Sequence, residues 1–333
     1  DANDRMARTS KMNMIMHGDG HGGVHHHDGF LNVNGIFEGR FDIILTNPPF
    51  GSNVEPTDIV LEEQVMIPEE VERRYKDIYG DGYNEALSRI RAAKGEPIAG
   101  LFELPTIKGN RKVGKIKTEI LFIERCLDLL KPGGRLGIVL PEGVFNNPSL
   151  SYVREYCENR AYVRAVVSLP PETFISSGAS VKASLLFMQK FTDKEQVDFD
   201  AKQVEAERET REKYAPEIAA KTKEFENAIA QAKAEKNAER RKSLRAELRA
   251  YHKDVEAKIK AEARNLLKSR FPYPVFLYEA EHVGITATGE TDRVPNELVP
   301  NDHKPQGVEH TALDLYRAFQ SDPEAFILAE AAV

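Results

Sequence analysis

No apolar run in this 333-residue sequence approaches the roughly 18 residues that a bilayer-spanning helix needs, so the chain is read as carrying no membrane span. Cysteine is scarce. Cys126 and Cys157 sit in helix-like stretches without metal-ligand spacing, which excludes a disulfide framework or a zinc finger and suits a reduced, cytoplasmic protein. An initiator Met is lacking too. The chain opens Asp1-Ala2-Asn3-Asp4-Arg5, polar and unlike a secretory leader, and Asp1 is not expected to be the natural start. Excess positive charge is also missing: the formal net charge is −7, which alone speaks against nucleic acid. Its distribution is uneven, however. Residues 201–270 hold 19 Lys and Arg against 13 Asp and Glu, a net of +6, and the remainder carries −13. A basic segment on an acidic body permits contact with nucleic acid or an acidic partner.

What is present reads as an α/β chain. Residues 4–16 are patterned as a helix stopping near Gly18. His25 to Leu31 is expected as a short strand with its exit turn, and Asn34-Gly35 as a turn. Phe41-Asp42-Ile43-Ile44-Leu45-Thr46 has the continuous apolar character of a strand buried in a parallel sheet, and it stops at Asn47-Pro48-Pro49-Phe50-Gly51. Residues 52–116, mixed and rich in Glu, Gly and Pro, form a long excursion that the pattern does not order. From Thr118 a helix is clear, with Ile120, Leu121, Ile123, Glu124, Leu127 and Leu130 in amphipathic register until Lys131-Pro132-Gly133-Gly134 halts it. Strands are predicted over 135–140, 163–169 and 183–187, with a helix over 151–160. Such alternation argues for an open sheet with crossover helices, and in such sheets ligands bind beyond the carboxyl ends of the strands.

Residues 201–270 contain no glycine. Tyr214, Ile218, Phe225 and Ile229, then Leu244, Leu248, Tyr251, Val255, Ile259 and Leu266, recur at spacings of four and seven, the pattern of packed helices. Strand-like sequence resumes at 274–278, so the segment is predicted to be an antiparallel helical hairpin turning near Lys236-Asn237-Ala238. A polar tail follows from about 286, with a short helix at 311–319. The expected organisation is 1–200, the charged hairpin at 201–270, and final strand and tail at 271–333.

The most informative feature is Asn47-Pro48-Pro49-Phe50. Asn47 offers a side-chain carbonyl. Pro48 offers a backbone carbonyl aimed by two locked φ angles. Phe50 offers a flat face for stacking a base. Two acceptors beside a stacking ring suit an exocyclic amine, whose lone pair is otherwise delocalised into its ring; they hold its two N–H bonds and stabilise the positive charge that develops as it is alkylated. The plainer reading is a strand-ending Pro-Pro turn and a core Phe. Other signals are weaker. His17, His21, His25, His26 and His27 match no standard metal spacing and read better as a solvated loop. Gly18–Gly23 lacks the Lys-Ser/Thr ending of a phosphate loop. The basic segment suits phosphate tracking, but equally a solvated hairpin with Glu–Lys pairs or a docking arm. Tyr152, Tyr156 and Tyr162 read as packing residues.

Taken together, the motifs resemble the DNA adenine-N6 methyltransferase family, and closely the modification subunits of type I restriction systems. The resemblance runs over most of 1–200 and resumes at about 274–290. It rests on Lys11-Met12-Asn13-Met14 leading to His17-Gly18, on 41–51, on Leu130-Lys131-Pro132-Gly133-Gly134-Arg135 running into Leu140-Pro141-Glu142-Gly143, on Phe174 with Ser177-Gly178, and on Lys182-Ala183-Ser184-Leu185-Leu186-Phe187. Gly284–Gly289 is similar to the family's Gly-Tyr-x-x-x-Gly stretch, with Ile285 where an aromatic is usual. The resemblance implies a partial Rossmann-like sheet lacking its first strands, methyl transfer from S-adenosylmethionine to adenine N6 in double-stranded DNA, and assembly with a specificity subunit and a restriction subunit. It implies catalytic roles for Asn47, Pro48, Pro49 and Phe50. The acid that bonds the cofactor's adenine would be Asp28, with Asp19 as rival; either also reads as a turn acid. No Phe-x-Gly-x-Gly string precedes residue 47, so the chain is expected to be a fragment whose cofactor site is incomplete and whose own cofactor affinity is low. Methylation of RNA or of protein glutamine, and a scaffold role without activity, are the alternatives.

Overall fold

The computed structural model describes residues 1–20, 22–106, 114–178, 181–294, 296–299 and 310–326. Two compact units emerge: residues 1–191 with 274–333, and residues 192–273.

The first unit opens with helix α1 (Asp4–Met16), whose N-cap Asn3 accepts the Met6 N–H. The predicted strand at His25–Leu31 does not form. Local bonds win there: the Asp28 carboxylate accepts the Phe30 N–H at 2.9 Å, and the rings of His25, His26 and His27 take Asn34 and backbone carbonyls as partners. Such turn bonds compete directly with a strand ladder. Strand β1 (Phe41–Thr46) follows, and then the excursion, which is ordered. Within it β2 (Asn53–Val54) pairs with β3 (Ile116–Lys117), and between them lie α2 (Glu62–Val65), α3 (Glu69–Tyr79) and α4 (Asp81–Ala92). Tyr75 of α3 and Tyr83, Leu87 and Ile90 of α4 join the main apolar core.

Helix α5 (Thr118–Leu129) carries the chain back to β4 (Leu130–Pro141), which lies parallel to β1. Leu121, Ile123 and Leu127 of α5 and Leu136, Ile138 and Leu140 of β4 are almost wholly removed from solvent. Burying such side chains stabilises the fold by about 1.5–3 kcal/mol each. The Lys131–Gly134 turn expected between helix and strand is absorbed into β4 as a bulge: Phe41 pairs with Leu130, but Ile43 pairs with Arg135. Pro132 cannot donate to a ladder, and Gly133 takes a φ of +79° that side chains avoid.

After α6 (Gly143–Asn146) and α7 (Ser151–Glu158) come β5 (Ala161–Ser168) and β6 (Ala183–Lys190). With β7 (Phe276–Glu279) these complete a five-stranded sheet in the order β1-β4-β6-β5-β7. β6 is antiparallel to both β4 and β5, while β1 with β4 and β5 with β7 are parallel. Helix α10 (Ala312–Ser321) places Phe319 against Phe276. One expectation fails here. β1 is not buried on both faces: it is an edge strand with one neighbour among the described residues, leaving Ile43 52% and Leu45 77% exposed.

The second unit is the predicted helical hairpin. α8 (Asp193–Ala234) and α9 (Ala238–Arg270) are joined at 235–237, where Lys236 adopts a positive φ of 54° and Asn237 caps α9. α8 begins earlier than residue 201 because Thr192 and Glu195 form a capping box. Val255, Ile259, Ala263 and Leu267 are buried along α9. Arg211–Glu256 at 2.7 Å, Tyr214–Glu262 at 2.9 Å and Arg270–Glu209 at 2.7 Å fix the antiparallel register. Arg211, Lys213 and Arg270 are thus paired with carboxylates of the facing helix.

Candidate nucleotide site

The carboxyl ends of β1 and β4 lie at one end of the sheet, together with the start of β6 and the end of β7. At this end β1 gives way to residues 47–51. Asn47 and Pro49 are exposed, Pro48 is buried and Phe50 is half-buried. The first proline anchors the loop in the protein and the amide of Asn47 stands in solvent. Phe50 does not enter the core. Its ring meets Phe174 edge-on, with centroids 6.4 Å apart at 84°. Phe174 lies on a 3-10 turn (Pro171–Ser177) that ends at Gly178, φ +85°.

The loop's far side is tied to α5. The Thr118 N–H donates to the Ser52 carbonyl at 3.1 Å, extending the β2–β3 pairing to the first residue of the helix. The Phe174 turn has its own support: a side chain at Gly289 would lie 2.9 Å from the Ser176 Cβ, so Gly289 allows the 284–290 turn to sit against it. At the end of β4 the Glu142 N–H donates to the Lys182 carbonyl at 2.9 Å, and the Ser184 hydroxyl reaches the Glu142 carboxylate at 3.4 Å. Lys182 pairs with Glu279 at 3.2 Å. The Leu-Pro-Glu-Gly and Lys-Ala-Ser stretches noted in the sequence therefore knit neighbouring strands beside the loop.

Asp28 is half-buried near α5. Gly29 lies against Phe122, whose ring is 4.6 Å from that of Phe30, and the Arg125 guanidinium donates to the Gly29 and Leu31 carbonyls and to Asn32. One Asp28 oxygen is already engaged by Phe30. The rival, Asp19, lies in an exposed turn after α1. Sequence reasoning missed Glu119. This acid, the second residue of α5, is only 5% exposed, and its Oε2 has no hydrogen-bond partner. The signal for it was a carboxylate next to the apolar run Ile120-Leu121.

A buried carboxyl, Glu124, and a half-buried one, Asp128, lie further along α5. Burial raises Glu124 to about 7, against the opposing pull of the Glu103 and Leu104 N–H groups, which it accepts at 2.5 and 2.8 Å. Burial also raises Asp128 to about 6. Both cysteines are buried, and their thiols are pushed up to about 12 by loss of solvation. No cluster of three or more His, Cys, Asp or Glu suited to a metal occurs among the described residues. No described helix is long and apolar enough to cross a membrane.

The fold and site define an α/β domain whose functional groups stand on loops beyond the carboxyl ends of its strands. More particularly, the sequence pattern of the N-6 DNA methylases matches residues 1–78 and 108–266, and the chain belongs to that family. No curated protein matches it. Among solved structures, the modification protein of the type I restriction enzyme EcoKI is similar at 19% identity over 58% of this chain, with a TM-score of 0.34. A modification subunit assigned to a type I restriction enzyme of Vibrio vulnificus matches at 19% over 58%, TM-score 0.34. A chain from Listeria monocytogenes, assigned as a class I S-adenosylmethionine-dependent methyltransferase, matches at 18% over 50%, TM-score 0.29. At these scores the likeness decides nothing about this chain. It spans about a third of their lengths: 31%, 32% and 36%.

Proposed function

We propose that the chain is part of a DNA adenine-N6 methyltransferase, the modification subunit of a type I restriction system, and that it supplies the pocket for the target base. The supporting observation is the loop at the end of β1: an exposed carboxamide, a proline carbonyl and a half-buried aromatic ring backed by a second ring. The chain's family points the same way.

On this reading the target adenine leaves the duplex stack and lies against Phe50. The Asn47 Oδ1 and the Pro48 carbonyl accept its two amino N–H bonds. These acceptors favour a more tetrahedral nitrogen and stabilise the charge that builds on it. Solvent at exposed Asn47 takes the released proton. Phe174 keeps the Phe50 ring from turning away, so the nitrogen is held in line for attack.

The cofactor of this chemistry, S-adenosylmethionine, supplies an electrophilic methyl group when bound. The residues present fit its adenosyl end. Asp28 stands beside α5 with one oxygen committed to Phe30, and the orphaned Glu119 oxygen is a further acceptor for an amino group. No glycine-rich turn follows a strand ahead of β1 among the described residues; Gly18–Gly23 follows a helix. Double-stranded DNA and the specificity and restriction subunits are the partners of this reading.

The test is methyl transfer by the full-length protein with its partner subunits, using labelled S-adenosylmethionine and duplex DNA, RNA or protein as acceptor. Label in adenine N6 of duplex DNA is the expected result. Label in RNA or in a protein glutamine, or none at all from an assembled complex, overturns it.

A further inference from the structure

Four buried side-chain atoms among the described residues have no hydrogen-bond partner: Arg40 Nε, Tyr83 Oη, Glu119 Oε2 and Arg270 Nη1. Arg40 precedes β1 and lies at the opposite end of the sheet from the loop; its guanidinium sits over the Tyr79 ring and donates to the Tyr79 hydroxyl. Tyr83 is in the α4 core and Arg270 in the hairpin. Glu119 alone is a carboxylate at the end of the sheet where the candidate site lies. A buried carboxyl oxygen without a donor costs several kcal/mol against one in water, so its retention calls for a donor that arrives later.

The neighbours of Glu119 narrow what that donor is. Thr118, the preceding residue, bonds the Ser52 carbonyl, two residues past Phe50. Phe122, three residues on and so on the same face of the helix, touches Gly29, next to Asp28. Glu119 therefore sits between the loop that would hold the target base and the segment that carries Asp28. Its face of α5 runs on through Phe122, Ile123 and Cys126, all apolar. Among the described residues no lysine or arginine is paired with it.

We propose that Glu119 is a ligand-binding residue, its free oxygen accepting an N–H from the exocyclic amino group of a purine seated between residues 28–30 and 47–50. The inference rests on the methyltransferase reading above. On that reading both amino N–H bonds of the target adenine are taken by Asn47 and Pro48, so the purine that meets this description is the adenine of the cofactor.

The experiment uses the full-length protein in its assembled complex, as wild type, Glu119→Gln and Glu119→Asp. One arm measures binding of S-adenosylmethionine and of its analogue with hydrogen in place of the 6-amino group. The other measures binding of a duplex with adenine at the target position and of the same duplex with unsubstituted purine there. Melting temperature is recorded for every variant. The expected result is at least a 10-fold loss of affinity for Glu119→Gln in the S-adenosylmethionine arm only. That loss should vanish when the amino group is removed from the ligand, and Glu119→Asp should restore part of it. Three results overturn the proposal with the function intact: unchanged affinities in both arms, a loss in the duplex arm instead, or a loss that persists with the amino-free ligand. Wild-type protein that binds neither ligand overturns the functional reading itself, and this inference with it.

Discussion

Phe50 and Phe174, 124 residues apart in the sequence, meet ring edge to ring face at 84°. The contact couples the loop after β1 to the 3-10 turn after β5. Aromatic pairs of this geometry are worth about 0.5–1.5 kcal/mol beyond their buried area. Phe50→Ala removes the stacking face itself, and base stacking is worth about 1–3 kcal/mol. Fluorescence of 2-aminopurine at the target position should show roughly 10-fold or greater weakening for Phe50→Ala. Phe174→Ala should weaken binding less, about 3-fold, because the stacking face survives and only its support is lost. Equal effects, or a larger effect from Phe174, would contradict the assigned order of roles.

Asn47 is exposed and carries no packing duty. Asn47→Ala should therefore leave the melting temperature within a degree or two of wild type while cutting the methylation rate by about 10²–10³, the usual cost of one preorganised polar group in a transition state. Asn47→Asp keeps an acceptor oxygen and should retain more activity than Ala. Single-turnover methylation with the assembled enzyme measures both. A large fall in melting temperature for Asn47→Ala would show that the residue serves the fold.

Glu124 makes stability depend on pH. Burial raises its carboxyl to about 7 from the ordinary 4.5. The folded state thus holds a proton that the unfolded chain has released between these values. The contribution is fully present below about pH 4.5 and is lost as pH rises through 7. Full ionisation costs about 3 kcal/mol at most, by linkage. In urea unfolding at pH 5 to 8, wild type should lose stability faster than Glu124→Gln. Asp128, raised to about 6, repels the Glu124 carboxylate, so the comparison is repeated with Asp128→Asn in both proteins. Parallel pH curves would refute the assignment.

β1 exposes Leu45 and Ile43 on an unpaired edge. Such an edge is a template for pairing with another chain. The isolated chain should self-associate in light scattering at tens of micromolar, and Leu45→Lys, which places a charge on the edge, should shift it toward monomer with the melting temperature little changed. Monodisperse wild-type protein under these conditions would contradict the expectation.

Much of this architecture is written in local pattern. Phe41–Thr46 and its Pro-Pro stop, helix α5 and the hairpin turn at 235–237 are all signalled by apolar period and by breakers. Along the hairpin seam Val255 and Ile259 are buried as expected, the other eight expected residues are only half-buried, and α8 buries Phe199, Ala206, Thr210 and Ala232 instead. What escaped depends on distant partners. The burial of β1 is decided by how many strands flank it, which its own residues do not encode. His25–Leu31 looks strand-like, yet Asp28 and the histidines satisfy nearby backbone first. Within 52–116 the helices α3 and α4 are separated by a single Gly80 of positive φ, which a sequence reader sees only as one more glycine. At the site, the loop was legible because its chemistry is contiguous. Glu119 was not, because its meaning lies in a missing partner.

The bulge in β4 separates two kinds of change. Phe41 opposite Leu130 and Ile43 opposite Arg135 leave Lys131–Gly134 as slack outside the ladder. Losing or gaining a residue inside that slack leaves the alternation from Arg135 onward untouched. The same change one step later, past Leu136, would turn Ile138 and Leu140 outward and swing the Pro141-Glu142 corner to the wrong side of the sheet. Changes of length are therefore absorbed in the first stretch and not in the second.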